Sequence, residues 1–286
     1  MADFIEHFEP LARDYDVLFC DVWGVIHNGI AAFPAACDAL LRFRVRGGSA
    51  ILITNAPRSG DAVARILDRL GVPREAYDAI TSSGDVTRGI VAKRVGQRVF
   101  HLGPPRDTSI FAGLDVTFAP LASADYVVCS GLFDDTTETP DSYRATLAEM
   151  RARSLLMVCA NPDIVVERGD TLVYCAGALA DAYAGLGGEV LYCGKPYGPI
   201  YETALATASV ARAGQPVVRK RLLAIGDSVR TDLKGADAFG LDYLFVTSGI
   251  HAEEYGSREA PDLAALNAIF ADARVRPKAA MRELVW

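Results

Sequence analysis

A chain of 286 residues can bury the core of one large domain or of two modest ones. Its formal net charge of −7 offers no basic surface for nucleic acid or an anionic membrane, so neither is expected as a partner, and an anionic substrate would need positive charge supplied locally. The six cysteines (Cys20, Cys37, Cys129, Cys159, Cys175, Cys193) contain no CxxC pair and read as small core residues in a reducing compartment. The N-terminus carries acids where a secretory leader needs basic residues, and no apolar run is long enough to span a bilayer, so a cytoplasmic location is expected.

Near the start, Phe4, Phe8 and Leu11 predict a short amphipathic helix. Val17-Leu18-Phe19-Cys20 is then an apolar run that stops at Asp21 and turns through Trp23 and Gly24. A buried strand so placed delivers a carboxylate to its carboxyl end, the edge at which open α/β sheets bind ligands. A helix is predicted over 35–46, closed by Gly47-Gly48. A second buried strand over 50–53 ends at Thr54-Asn55, and a helix with Val63, Ile66, Leu67 and Leu70 on one face stops before Gly71. This βαβα opening predicts an α/β fold with a parallel sheet and right-handed crossovers.

From about Ser83 the texture changes. Strands are predicted over 99–102, 126–129, 155–159 and 172–174, with a helix starting at Thr139-Pro140-Asp141, so this middle block reads as a second α/β unit. A small-residue helix and turn cover 176–188. The short run Leu191-Tyr192-Cys193, tipped by Gly194-Lys195-Pro196, is expected to return the chain to its first domain. Leu222-Leu223-Ala224-Ile225-Gly226-Asp227 repeats the design of the first strand, and a helix starting near Ser228 to Thr231 would bring Asp232 to the same rim. Three carboxylates converging there repel one another unless a cation neutralises them. A small hard ion held by oxygens, Mg²⁺, suits the cluster.

Four strand tips thus carry, in chain order, Asp21, Thr54-Asn55, Lys195, and Asp227 with Asp232. This set resembles the haloacid dehalogenase superfamily of phosphohydrolases. The interval of about 140 residues between Thr54 and Lys195 is similar to that of class IIA, the branch of nitrophenylphosphatases and sugar phosphatases with a large α/β cap inserted there. The resemblance implies a Rossmann-like parallel-sheet core over 1–84 and 189–286 and a cap over 85–188. It implies that Asp21 forms an aspartyl phosphate, that Mg²⁺ is held by Asp21, the backbone carbonyl of Trp23, Asp227 and Asp232, that Thr54 and the amides around Asn55 hold phosphate oxygens, and that Lys195 adds charge to the phosphate and to Asp21. Arg58 stands where relatives often carry a small residue, and either reaches the substrate or caps the next helix. Cys159-Ala160-Asn161-Pro162-Asp163 looks like the cap loop that faces substrate in this class. That makes Asn161 and Asp163 candidates for specificity, with a simple Asn-Pro turn as the alternative. His27 is read as packing its own loop.

The departure from the family pattern is Trp23. Phosphatases of the superfamily usually carry Asp two residues after the nucleophile, to protonate the leaving oxygen and then activate water, and an indole does neither. Such help is worth roughly 10² to 10⁴ in rate, about 3 to 5 kcal/mol. The acidic cluster argues against the metal-free dehalogenase branch. The expected function is therefore Mg²⁺-dependent hydrolysis of a small phosphorylated metabolite, with a sugar phosphate among the candidates. The alternative is a catalytically impaired relative that binds a phosphorylated ligand. A homodimer is left open.

Overall fold

Strands that are apolar on both faces must lie between helices, and parallel sheets provide that setting. The computed structural model describes residues 3–168, 171–249 and 252–286. It places Val17–Asp21, Ser49–Thr54 and Leu222–Gly226 as wholly buried central strands of a seven-stranded sheet. The strand order is Asp3–Phe4, Ala279–Met281, Asp242–Val246, Leu222–Gly226, Val17–Asp21, Ser49–Thr54 and Ala79–Ser82. The central ladders are parallel, with Cys20 opposite both Leu52 and Ile225, so Val17–Asp21 and Leu222–Gly226 end at one edge. Helix Pro34–Val45 opens on proline, where the missing N–H costs nothing. Helix Gly60–Leu70 turns Val63, Ala64 and Leu67 inward.

This sheet belongs to the first of two units, which holds the residues up to Thr54, Asp61–Thr81 and those from Tyr201 onward. The second unit holds Asn55–Gly60 and Ser82–Ile200. It contains a five-stranded parallel sheet in the order Val190–Tyr192, Met157–Cys159, Tyr126–Cys129, Arg98–Leu102, Thr117–Phe118. Its core joins Leu102, Val127, Met150, Met157, Leu179 and Tyr183. The predicted helix start at Thr139 is a capping box with Ser142, which leads through the 3₁₀ turn Pro140–Tyr143 into helix Arg144–Ala152.

Three local expectations change. The 172–174 strand lies in an antiparallel hairpin, Val165–Arg168 with Thr171–Tyr174, outside the five-stranded sheet. Val190–Tyr192 pairs with Met157–Cys159 rather than with the first sheet, so the second unit extends to Ile200, beyond the return expected at 189. Phe4 sits in an edge strand paired with Ala280, and only Glu9–Ala12 is helical. Phe8 is fully buried against Phe43 and Trp286.

Helix Ser83–Ala92 starts with a reciprocal box. The Ser82 hydroxyl accepts from the Asp85 N–H at 2.9 Å, while the Asp85 carboxylate accepts from the Ser82 N–H at 3.1 Å. Ser82→Ala should therefore lower stability by about 1 kcal/mol in denaturant unfolding; an unchanged midpoint would show that this helix start gains nothing from its serine.

Candidate active site

In the first unit, parallel strands that end side by side bring two acids to one edge. Asp21 closes Val17–Asp21, and Asp227 follows Leu222–Gly226 by one residue. Asp232 arrives by a different device. Ser228 caps a wide turn, Val229–Leu233, in which the Leu233 N–H donates back five residues to the Ser228 carbonyl at 3.0 Å. That turn swings Asp232 inward, where its Oδ2 accepts from the Ser228 N–H at 3.2 Å. Asp21 Oδ1 accepts from the Val22 N–H at 2.7 Å. Each of the three carboxylates places an oxygen within 4.8 Å of the other two, and all three residues are buried.

At that separation each pair of charges repels by roughly 3 kcal/mol even at an effective dielectric constant of 20. The field reaches two phenols. Tyr243 and Tyr255 are both pushed above the ordinary tyrosine range, first by burial. For Tyr243 the charges of Asp232, Asp227 and Asp21 add to this, and for Tyr255 the charge of Asp227. The backbone closes around the same oxygens. Gly24, at φ +78°, and Gly249 both lie so near the Asp227 carboxylate that a Cβ on either would overlap it, and a Cβ on Gly226 would strike Asp232. A buried, all-oxygen set of three acids is the donor chemistry of a hard divalent cation, so these residues fit Mg²⁺.

Trp23 is half-buried, and a Cβ on Gly29 in the same loop would just reach its indole nitrogen, at 3.5 Å. His27 is buried, and burial lowers its pKa to about 4. Its Nδ1 accepts from the Gly29 N–H at 2.9 Å and its backbone carbonyl from the Gly24 N–H at 2.8 Å, so it holds the loop that follows Asp21.

Thr54 is the buried last residue of Ser49–Thr54 in the first unit, and Asn55 opens the second. There the Asn55 amide brings two other predicted residues together. Its Oδ1 accepts from the Lys195 N–H at 2.7 Å, and its Nδ2 donates to the Lys195 carbonyl at 3.0 Å and to Asp163 Oδ1 at 2.8 Å. Gly194 is pressed so tightly on Asn55 Oδ1 that a Cβ would not fit. Lys195 is 3% exposed, a burial that lysine tolerates only among oxygen acceptors. Asn161 Oδ1 accepts from the Asp163 N–H at 3.1 Å, forming an Asn turn before Asp163. The Asn161 side chain thus bonds within its own loop, the Asn55 side chain reaches Asp163 and Lys195, and Arg58 faces Asp107 at 3.8 Å.

Two sets of residues escaped the sequence. The crowding glycines Gly226 and Gly249 had no signal beyond standing next to an acid or ending a strand. Buried Asp107 and Ser130, with half-buried His101, had one weak signal, Ser130-Gly131 directly after an apolar run.

Known proteins share this architecture. Residues 18–117 match the family described as haloacid dehalogenase-like hydrolase, and residues 192–269 the one described as HAD-hydrolase-like. A crystal structure from Brucella suis, described as a hydrolase of the haloacid dehalogenase-like family, is 46% identical, with a TM-score of 0.86, over 98% of this chain and 100% of that one. The D-glycerol 3-phosphate phosphatase of Mycobacterium tuberculosis is 29% identical over 249 residues, 85% of this chain; the chain spans 66% of the length of that relative. A crystal structure of glycerol phosphate phosphatase from Mycobacterium tuberculosis in complex with calcium is 25% identical, with a TM-score of 0.62, over 84% of this chain and 68% of that one.

The crowding at Asp227 gives a direct prediction. Gly249→Ala should displace that carboxylate and weaken Mg²⁺ binding at least about tenfold by calorimetric titration, with far-ultraviolet circular dichroism unchanged. Unaltered affinity would mean that Asp227 is not part of the cation site.

Proposed function

Since this chain belongs to the haloacid dehalogenase-like hydrolases, we propose that it is a Mg²⁺-dependent phosphohydrolase that works through an aspartyl phosphate on Asp21, with a small phosphorylated metabolite, a sugar phosphate among the candidates, as its substrate. The observation that carries this reading is the buried triplet Asp21, Asp227 and Asp232 at one sheet edge. The relative named D-glycerol 3-phosphate phosphatase supports a phosphate ester as substrate, and the phosphatase crystallised with calcium supports a divalent ion.

In this mechanism a carboxylate oxygen of Asp21 attacks phosphorus as the ester P–O bond breaks, and water then cleaves the acyl phosphate, which releases phosphate and restores the carboxylate. Asp21, the backbone carbonyl of Trp23, Asp227 and Asp232 would hold the ion. When bound, Mg²⁺ supplies positive charge that lets an anionic nucleophile approach an anionic ester. Thr54 and the backbone N–H groups near Asn55 hold phosphate oxygens, and Lys195 adds a second positive charge. Asn161 and Asp163 bear on substrate choice, the segment 85–188 acts as the cap that excludes water, and the site of action is the cytoplasm. Nitrophenyl phosphate, whose leaving group needs no proton, should be hydrolysed with Mg²⁺ and not with EDTA. Asp21→Asn should abolish turnover while leaving the fold intact; an active Asp21→Asn protein would end the covalent mechanism.

Trp23 favours a second reading, a protein that binds a phosphorylated ligand and turns it over poorly. Trp23→Asp should raise hydrolysis of an alkyl phosphate by an appreciable part of the roughly 10² to 10⁴ that acid and base help supplies, with less gain on nitrophenyl phosphate. Wild-type rates that already match on both esters would show that the missing acid does not limit the reaction.

A further inference from the structure

The first unit contains a cavity that the proposed chemistry leaves unused. Its volume is about 530 Å³, within the range of small-molecule sites, and it is lined from three elements: the turn Val229–Leu233, the turn Ala252–Tyr255 and the helix Leu263–Asp272. Two of these are anchored to one strand, Asp242–Val246. Tyr255 meets Phe245 at 5.9 Å between ring centroids, and Phe270 of the helix meets the same ring at 5.2 Å. The Asp262 N–H, at the N-cap of that helix, donates to the Tyr255 carbonyl at 2.6 Å.

Val229, Tyr255 and Ile269 give the cavity apolar surface, while Arg230 and Lys234 bring two positive charges and Glu254 and Asp272 two negative ones. The lining is therefore neutral. Arg230 Nη2 meets Glu254 Oε1 at 3.4 Å with the side chains 69% and 44% exposed, a pair worth little in water and readily exchanged for another partner. Lys234 and Asp272 line the same cavity, yet among the described residues neither has an ion-pair partner. Opposite charges that share a cavity without meeting leave room for a molecule that carries both. A simple anion would confront Glu254 and Asp272, and a simple cation Arg230 and Lys234. A free amino acid meets all four, with its carboxylate toward Arg230 and Lys234, its ammonium toward Glu254 and Asp272, and an apolar side chain on Val229, Ile269 and Tyr255.

The cavity adjoins the acid cluster along the chain. Arg230 and Lys234 stand two residues before and two residues after Asp232. The turn that carries Glu254 and Tyr255 is tied by the Ala252 N–H, which donates at 3.2 Å to the carbonyl of Gly249, the glycine pressed on the Asp227 carboxylate. A ligand that grips both turns therefore restrains Asp227 and Asp232 together.

We propose that this cavity binds a free amino acid with a large apolar side chain, and that its occupation tightens the cation site of Asp21, Asp227 and Asp232. The binding stands apart from the phosphohydrolase reading; the coupling needs only that the three acids hold Mg²⁺.

The test is calorimetric titration of the full chain with phenylalanine and leucine, and with 3-phenylpropionate and phenethylamine, which keep the ring of phenylalanine but carry the carboxylate alone or the ammonium alone. The better of the two amino acids should bind at least about 10-fold more tightly than either single-charge compound, the range of one charge-assisted hydrogen bond. Lys234→Gln and Asp272→Asn, at exposed positions, should each weaken it by about that factor. Ala268→Trp, which fills the cavity from an exposed helix position, should abolish binding with far-ultraviolet circular dichroism unchanged. Saturation with the amino acid should lower the Kd for Mg²⁺ about fivefold, and by linkage saturating Mg²⁺ should lower the Kd for the amino acid by the same factor. No binding of either amino acid, equal binding of the single-charge compounds, or binding that survives Ala268→Trp overturns the site. A Mg²⁺ affinity that the amino acid leaves unchanged, or a chain that binds no Mg²⁺, overturns the coupling. The phosphohydrolase reading fails by a different result, a chain that binds Mg²⁺ and does not hydrolyse nitrophenyl phosphate.

Discussion

The mutual repulsion of three buried carboxylates is the constraint on which the rest of the first unit depends. Parallel strands that lie side by side end at one edge, so an acid at the tip of Val17–Asp21 and another just past Leu222–Gly226 must meet there. The wide turn after Ser228 adds the third. Backbone N–H groups of Val22 and Ser228 take up part of the negative charge, and the remainder calls for a cation. Side chains would hold the backbone away from those oxygens, which explains glycine at Gly24, Gly226 and Gly249. Glycine is thus selected at these positions by the size of a carboxylate as much as by the dihedral angles of a turn.

The same loop contains the residue least suited to a general phosphatase. His27 is the histidine nearest in sequence to Trp23, yet it does not replace the missing acid. Burial keeps it neutral down to about pH 4, and its Nδ1 is occupied by the Gly29 N–H, so at neutral pH its remaining proton sits on a nitrogen that parts with it reluctantly. In the proposed reaction, protonation of the leaving oxygen then falls to water, the substrate or another residue. An ester with a stabilised leaving group, or one that carries its own proton donor, suffers least. The loop keeps its shape because His27 holds it through the Gly24 and Gly29 amides.

What the sequence disclosed follows from how each feature is encoded. Asp21 and Asp227 were legible because an apolar run broken by a carboxylate is a local pattern, and the helix start at Thr139 because capping is local too. Val190–Tyr192 was misplaced because three residues carry no periodicity that names their neighbour; only the ladder to Met157–Cys159 does. The contact between His101 and Ser130 was invisible for the same reason. His101 and Ser130 are 29 residues apart and meet because their strands pair in register, Leu102 beside Cys129. Asn55 read as a strand-end residue, and nothing local showed that its partner Lys195 lies 140 residues away.

Asn55 shows why residue identity at such a bracket is chemically determined. The Lys195 N–H needs an acceptor, while the Lys195 carbonyl and the Asp163 carboxylate need donors, so one side chain must offer both from a single planar group. An amide does so. Asp at this position would accept from Lys195 but leave its carbonyl without that donor and set two carboxylates face to face. Thr has one proton for two acceptors. Leu would leave a buried N–H and C=O unpaired, at about 1 to 3 kcal/mol each. Phosphoryl transfer depends on placing charge accurately more than on covalent novelty. Two hydrogen bonds from one amide thus fix the backbone at Lys195, and a third ties the same amide to Asp163.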